Sequence, residues 1–565
     1  MVQTVWSVRN ERKEKPARSP EDSEGLSPLL LKLLLHRGLE TREASHDFLY
    51  PDRKNLHPPH LMKGMREAVE RLRKAQAKQE KVLVHGDYDV DGITGSAILS
   101  LALEKLKIPH ETFLPERAKD GYGVNRQAIE RAGRGGVKLL VTVDCGISAG
   151  RQIGEAKKAG IESIVVDHHR LPPEGVPPAH AILNPLQEDC PYPFKELSAG
   201  GLAFKFAQAL LGAEAFDYFD LATLSTIADL APLKGENRIL VQEGLRQLSE
   251  RKRVGIRALA QTASLRAQEI KASHVGFVLG PRINASGRMS SARTALQLLL
   301  TRNVREAESL AEILELENRQ RQQVERRVLS EAIQQVEQTV NFSRERILVV
   351  AHDGWHVGVI GIVAARLVER FHRPALVIAL QDGKGKGSGR SIRSFHLFNA
   401  LEAARGSLVE FGGHEQAAGF VAEREQIGEL RRKLNEYAHA TYPAETFLKS
   451  INIDLEISLE DLAPRFLREL QLLEPYGMGN PKPLFLTRKL FVKKVLPGVK
   501  GGRSRPRIWV TDGTLTYEAA ASERNPIAFD WRENAPLDLV YSVDLRRWGG
   551  EEMLVLEVKD AKPSS

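Results

Sequence analysis

The sequence predicts an α/β multidomain chain: a parallel-sheet domain joined by a long helix to a smaller α/β domain, followed by a small β-barrel. Three observations carry this. From Lys81, short β-branched runs alternate with helical periodicity; the stretch from Glu306 to Val340 contains no Pro or Gly; and from about Ser450 the pattern turns to strand alternation. At 565 residues the chain is too long for one core, and ordinary domain sizes give about three or four domains.

Residues 1–80 read as a polar leader and helical cap, with an apolar segment from Leu29 to His36 opened by Ser27-Pro28, a helix-start pair, and a helix from Arg66 to Lys78. Residues 81–300 carry βαβ logic: strands at Lys81 to His85, Leu139 to Val143 and Ser163 to Val166, and helices from Thr94 to Leu106 and up to Ala159. Residues 301–345 hold the connecting helix, rich in Leu, Glu, Gln and Arg, with a seam at Leu310, Ile313, Leu314 and Leu316. Apolar heptads do not persist past Asn318, which argues against a coiled coil. Residues 346–445 form the smaller α/β domain, with strands at Ile347 to Val350 and Ala375 to Ala379 around a helix from Val359 to Phe371. Residues 446–565 alternate at Ile451 to Ile457, Lys489 to Val495, Arg507 to Val510 and Leu537 to Val543, as in an OB-like barrel.

The N-terminus lacks an apolar h-region, and no run approaches the ~18 apolar residues of a membrane span, so a soluble, cytoplasmic protein without a membrane partner is expected. The only cysteines, Cys145 and Cys190, have no CxxC partner, which argues against a disulfide framework and a thiolate zinc site. A net charge of +8 is compatible with a polyanionic partner.

The strongest chemical signal follows the first strand: His85, Asp87, Asp89 and Asp91 recur at every second residue, and on an extended backbone all four point one way. Converging carboxylates repel unless cations neutralise them, and oxygen with imidazole donors suits Mn²⁺ or Mg²⁺. An EF-hand loop is the rival, because Asp87, Asp89, Asp91 and Gly92 match its first, third, fifth and sixth positions. Its twelfth position falls on Ile98, where a bidentate Glu is required. Two more strand ends offer the same donors, Asp144 after Val143 and Asp167-His168-His169 after Val166, and ligands gather at such ends in parallel sheets. Adjacent rings on an extended chain face opposite ways, so His168 is assigned to metal; His169 is left open between the scissile phosphate, orientation of a ligand and a structural role. Asp229, ending an apolar helical stretch, adds a carboxylate.

In order and type, these residues resemble the DHH phosphoesterase superfamily: a DxDxDG strand end, a later lone Asp, an Asp-His-His triplet and a further Asp. Three further runs resemble its single-strand-specific 5′-to-3′ exonucleases: Pro115-Glu116-Arg117 leading to Asp120-Gly121-Tyr122-Gly123, Pro281-Arg282-Ile283-Asn284-Ala285-Ser286-Gly287-Arg288, and Glu474-Pro475-Tyr476-Gly477-Met478-Gly479-Asn480-Pro481. The smaller α/β domain resembles DHHA1, through Gly354-Trp355-His356, the glycine-rich run Gly385 to Arg393, and Gly412-Gly413-His414.

The resemblance implies a two-metal shell of His85, Asp87, Asp89, Asp91, Asp144, His168 and Asp229, with His85 or Asp87 in a supporting role, and catalysis shared by the carboxylates with His168 and His169. It implies nucleic-acid or phosphate contacts from Arg117, Tyr122, Arg282, Asn284, Arg288, Trp355, His356, Ser388, Arg390, Arg393, Gly412, Gly413 and His414. The glycines are expected to bring backbone N–H groups to a phosphate beside the forked donors of Arg390 and Arg393. Phe491, Trp509 and Trp531, interleaved with basic residues, stack bases or fill the barrel core. The expected activity is two-metal, Mn²⁺- or Mg²⁺-dependent hydrolysis of single-stranded DNA from its 5′ end, releasing 5′-mononucleotides in DNA repair and recombination. Family partners are a single-strand-binding protein and a helicase. The alternatives are a DHH hydrolase of short oligonucleotides, cyclic dinucleotides or pyrophosphate, and a non-catalytic DNA-binding scaffold.

Overall fold

The computed structural model describes residues 4–9, 25–116, 121, 123–496, 507–521, 529, 531–548 and 551–564. They fall into two compact units: His46–Gln322 with Leu473–Pro481, and Met1–Ser45 with Gln323–Leu472 and Lys482–Ser565.

The first unit is built on five parallel strands in the order His110–Phe113, Lys81–His85, Val137–Val143, Glu162–Val166 and Ala181–Leu183. Both faces are covered, as an all-parallel sheet requires. On one side lies the helix Val90–Lys105, with every residue from Val90 to Leu103 buried. A helix apolar on all sides belongs in a core, and this one packs beside Ala199–Leu211 and Phe219–Ala228. The opposite face carries Arg126–Arg134 and Gly150–Lys158, whose Ile129, Ala132, Ile153 and Ala156 pack under Leu140 and Val165. The three central strands are neighbours, so His85, Asp144 and Asp167 follow one another across the C-terminal edge of the sheet.

The connecting helix runs from Val304 to Thr339, and the division between the units falls within it. In the second unit a mixed five-stranded sheet has the order Glu410–Gly413, Ala417–Glu423, Lys384–Arg390, Ala375–Gln381 and Leu348–Asp353. Only its last pair is parallel among the described strands. The C-terminal strands close on themselves: Phe485–Leu496 pairs with both Arg507–Thr511 and Pro536–Trp548, and Thr516–Ala521 joins the ring through Glu551–Pro563. That closure removes the exposed edges of a small barrel.

The first described strand, Thr4–Val8, pairs in parallel with Lys449–Ile453. Its Trp6 Nε1 donates to Asp560 at 2.8 Å, and Lys562 lies over the indole at 4.4 Å. No helix among the described residues is long and apolar enough to cross a membrane.

The glycine-rich run is a strand, Lys384–Arg390, where a phosphate-cradling stretch was expected. Its Lys-Gly-Lys-Gly-Ser-Gly-Arg alternation has the period of a strand, so Gly385, Gly387 and Gly389 all turn to the buried face while Lys384, Lys386, Ser388 and Arg390 line the other. A Cβ at Gly387 would lie 2.1 Å from the Phe420 ring, so glycine there makes room for the core. The backbone amides of this run serve a central strand of the sheet.

Candidate metal centre

Strand Lys81–His85 ends at His85, and a short turn leads to the helix starting at Val90, so the four residues from His85 to Asp91 are not on one extended strand. Asp89 is the N-cap: its Oδ1 accepts from the amides of Asp91 at 2.9 Å and Gly92 at 3.1 Å. Such a cap satisfies the amides a helix start leaves open. Asn284 Oδ1 accepts from the Val90 amide at 3.1 Å, bracing the turn.

Asp91 reaches across to a second helix. Its Oδ2 accepts from the Ala199 amide at 2.8 Å, and its Oδ1 from the Gly200 amide at 2.7 Å and from Ser225 Oγ at 2.5 Å. The N-terminus of Ala199–Leu211 thus holds a buried carboxylate, the charge its dipole favours.

Asp144 takes a left-handed backbone at φ 62°, directly after its strand. His168 stands among three carboxylates: Nε2 is 3.3 Å from Asp144 Oδ1 and 3.7 Å from Asp91 Oδ2, and Nδ1 is 3.8 Å from Asp229 Oδ2. Three overlapping sets each bring one donor atom per residue within 4.8 Å: Asp87 with Asp89 and Asp144; Asp91 with His168 and Asp229; and Asp144 with His168 and His169. The two histidine rings lie 4.6 Å apart between centroids and serve one cluster, contrary to the expected opposite orientation, because the strand ends at Val166 and alternation ends with it.

Asp167, a member of the triplet but not of the expected metal shell, is buried behind His169. Its Oδ1 lies 2.7 Å from His169 Nδ1 and accepts from the His169 amide at 3.1 Å, while Oδ2 accepts from the Ile147 amide at 2.9 Å. His85, fully buried, packs against Phe113 and has Cys145 Sγ 3.8 Å from Nδ1 and the Asn125 amide 3.4 Å from Nε2; it is in none of the three sets.

The electrostatics match a cation site. Burial first, and then the charges of Asp91, Asp89 and Asp87, push Asp144 well above the usual carboxylate range. Asp89 is raised by burial and by Asp91, and Asp229 is pushed up to about 8 by burial and by Asp91 and Asp89. Burial lowers His168 and so favours the neutral, ligating imidazole. His169 rises to about 9 despite burial, because Asp167 holds it by hydrogen bond and charge. An oxygen-rich set with imidazole, charged at an uncompensated cost, fits hard divalent cations such as Mn²⁺ or Mg²⁺.

The other expected contacts divide. Arg117 and Tyr122 lie outside the described residues. Arg282 is occupied, with Nε 2.7 Å from Glu315 and Nη1 donating to Val278 O at 2.8 Å, so it is a structural ion pair and not an open anchor. Arg288 is half-buried on the helix Gly280–Met289. Trp355 is core, 5% exposed with Nε1 donating to Glu331, and offers no surface for stacking; His356 beside it is exposed. Ser388, Gly419 and Gly412 stand in register across three strands, and space is open above both glycines. Arg390, Arg393, Gly413 and His414 belong to the same part of this unit, with Arg393, Gly413 and His414 exposed. Phe491 is 44% exposed on the barrel, and Trp509 carries the Arg507 guanidinium at 5.0 Å.

Residues 81–231 match the DHH family, N-terminal domain, residues 344–440 the DHHA1 domain, and residues 453–560 the RecJ OB domain. The single-stranded-DNA-specific exonuclease RecJ of Bacillus subtilis is 36% identical over 561 residues, covering 99% of this chain and 71% of that protein. The structure of RecJ from Thermus thermophilus in complex with Mn²⁺ superposes with a TM-score of 0.84 at 30% identity, over 100% of this chain and 80% of that one. The same protein in complex with Mg²⁺ gives 0.77 at 29% identity, over 100% and 79%. With the metal-ligating residue types on adjacent strand ends and all three domains in order, the chain belongs to the RecJ family of DHH proteins.

Proposed function

We propose that this chain is a single-stranded-DNA-specific exonuclease that hydrolyses phosphodiester bonds from the 5′ end with two Mn²⁺ or Mg²⁺ ions and releases 5′-mononucleotides in DNA repair and recombination. The observation that carries it is the chain of three donor groups linked through Asp144 and His168 at the C-terminal edge of the parallel sheet. RecJ relatives named for this activity, and RecJ structures holding either ion, support it.

Asp87, Asp89 and Asp144 would hold one ion and Asp91, His168 and Asp229 the other, with Asp144 and His168 also forming a set with His169. Two such ions supply Lewis acidity to the phosphodiester and to the attacking water. The protein's own part is orientation. The amides of Ala199 and Gly200 fix Asp91, and Asp167 fixes His169 toward the same cluster, while His85 lies in the core beside Cys145 and Phe113. His169, oriented by Asp167 Oδ1 on its Nδ1, is suited to contact a phosphate oxygen. The backbone-lined patch at Ser388, Gly419 and Gly412, with Arg390 and Arg393, is suited to a nucleic-acid backbone, and the barrel to tracking a single strand. A working division of 1–80, 81–300, 301–345, 346–445 and 446–565 follows these roles. A single-strand-binding protein and a helicase are the expected partners, in the cytoplasm.

The test is release of label from single-stranded DNA marked at either end, in Mn²⁺, with duplex DNA, a dinucleotide and pyrophosphate alongside. Early release of mononucleotide from the 5′ end alone, lost in Asp144→Ala, is the expected result. Cleavage confined to the dinucleotide or pyrophosphate would move the chain to another DHH activity.

A further inference from the structure

The segment Leu473–Pro481 packs with the unit that holds the metal centre, although the residues flanking it, Gln323–Leu472 and Lys482–Ser565, pack with the other. It is a closed turn. Gly477 and Asn480 bond to each other through their backbones at 2.9 and 3.2 Å, and the fully buried Asn480 donates its Nδ2 to Leu473 O at 2.7 Å and Pro475 O at 3.0 Å. Buried amide groups need such partners.

The turn grips the chain just beyond Asp229. Met478 O accepts from the Leu233 amide at 2.8 Å. Gly479, at φ +72°, lies so close that a Cβ there would come within 2.8 Å of Pro232 Cβ. Pro232 O is also held by Asn237 Nδ2 at 3.1 Å. Arg238, 1% exposed, donates Nη1 to Leu473 O at 3.2 Å and Nη2 to Glu474 O at 2.7 Å, across 235 and 236 residues of sequence. It also donates Nε to Phe48 O at 2.5 Å and lies 4.0 Å from the Phe48 ring centroid, which fixes it in place. A guanidinium is costly to bury unless its donors are met, and here two backbone carbonyls of this distant turn meet them.

Between Asp229 and Leu233 the backbone is short and turned: Ala231 N donates to Thr226 O at 3.0 Å, and Leu230 takes φ 60°. Asp229 caps its helix at one end of this stretch, with its side chain 28% exposed, and the turn anchors the other end. We infer that Leu473–Pro481 is a clasp that positions Asp229 for metal binding, with Asn480 and Arg238 as positioning residues. The inference rests on the reading of Asp229 as a metal ligand. It makes one donor of the catalytic domain dependent on chain that lies between the DHHA1 domain and the barrel strands.

The experiment compares the intact 565-residue chain with its Asn480→Ala, Gly479→Ala and Asp229→Ala variants. Mn²⁺ binding to the resting protein is followed by electron paramagnetic resonance of the free ion; thermal melting and single-stranded DNA affinity are measured in chelator. Removal of support behind a ligand typically weakens metal affinity ~10-fold or more. Both clasp variants are expected to lose about that much at one site, as Asp229→Ala does, with DNA affinity in chelator unchanged. Gly479→Ala leaves the Asn480 side chain and its Nδ2 donors in place, so it reports on positioning even where Asn480→Ala fails to fold. A lowered melting temperature with Mn²⁺ affinity unchanged in the folded protein would make the turn merely structural and overturn the inference. Loss of DNA affinity with Mn²⁺ binding intact would overturn it in favour of a DNA-path role. Unchanged Mn²⁺ binding in Asp229→Ala itself would instead remove the ligand assignment beneath it.

Discussion

Nδ1 of His169 lies 2.7 Å from Oδ1 of Asp167, two residues earlier on the same strand end. The pair turns the second histidine of the triplet toward the cluster that the first one joins. Asp167→Asn keeps the shape but removes the charge, so turnover should fall about 10- to 100-fold while the KM for DNA changes little. Steady-state kinetics on a labelled single strand check this, and a KM effect alone would place His169 in binding.

Asp144→Asn should uncouple stability from function. Asn tolerates the left-handed backbone seen at φ 62°, and it removes a carboxylate that burial and the four neighbouring aspartates Asp91, Asp89, Asp87 and Asp167 oppose. In chelator the variant should melt above the parent, by about 2–4 °C for each kcal/mol of relieved repulsion. Added Mn²⁺ should stabilise the parent and leave the variant nearly unmoved, as calorimetry in the two conditions would show.

Lys384, Lys386, Ser388 and Arg390 share one face of their strand, and Arg393 is exposed just beyond it. Replacing Arg390 and Arg393 by Ala should weaken single-stranded DNA binding uniformly across sequences. The slope of log affinity against log salt should flatten by about 0.7 for each phosphate no longer neutralised. Fluorescence anisotropy over a salt series is the measurement, and an unchanged slope would take both residues out of the DNA path.

The catalytic unit also contains a buried ion pair away from the metals. Lys205 Nζ is 3.1 Å from Glu236 Oε1, which also accepts from the His57 amide at 2.8 Å, while Tyr192 OH donates to Oε2 at 2.5 Å. Breaking a buried pair strands its partner, so Glu236→Ala should cost about 3–5 kcal/mol in denaturant unfolding. Lys205→Met should cost less, because Glu236 keeps two other donors.

The sequence was most legible where side-chain period and strand ends coincide. Asp144 and the Asp167 triplet stood out because each follows an apolar run that the structure makes a central strand. Legibility failed where alternation stopped: the turn after His85 and the bend after Val166 set directions that no period describes. The glycine-rich run was the reverse case, since its alternation was visible and only the expectation of a phosphate loop concealed the strand. Asp91 could be named, but its partners Ala199, Gly200 and Ser225 come from 108, 109 and 134 residues away, and no local pattern announces them. The hold of Arg238 on Leu473 is hidden for the same reason.

The pairing of Thr4–Val8 with Lys449–Ile453 has a consequence for biosynthesis. During translation Thr4–Val8 emerges well before its partner, which is made more than four hundred residues later, roughly 20 to 90 s at ordinary elongation rates. The intervening residues 46–322 can build most of their own unit in that interval. An early strand with no mate is an invitation to promiscuous pairing, so chaperone demand in the cell should track the synthesis of residues 449–453 more closely than that of the catalytic sheet.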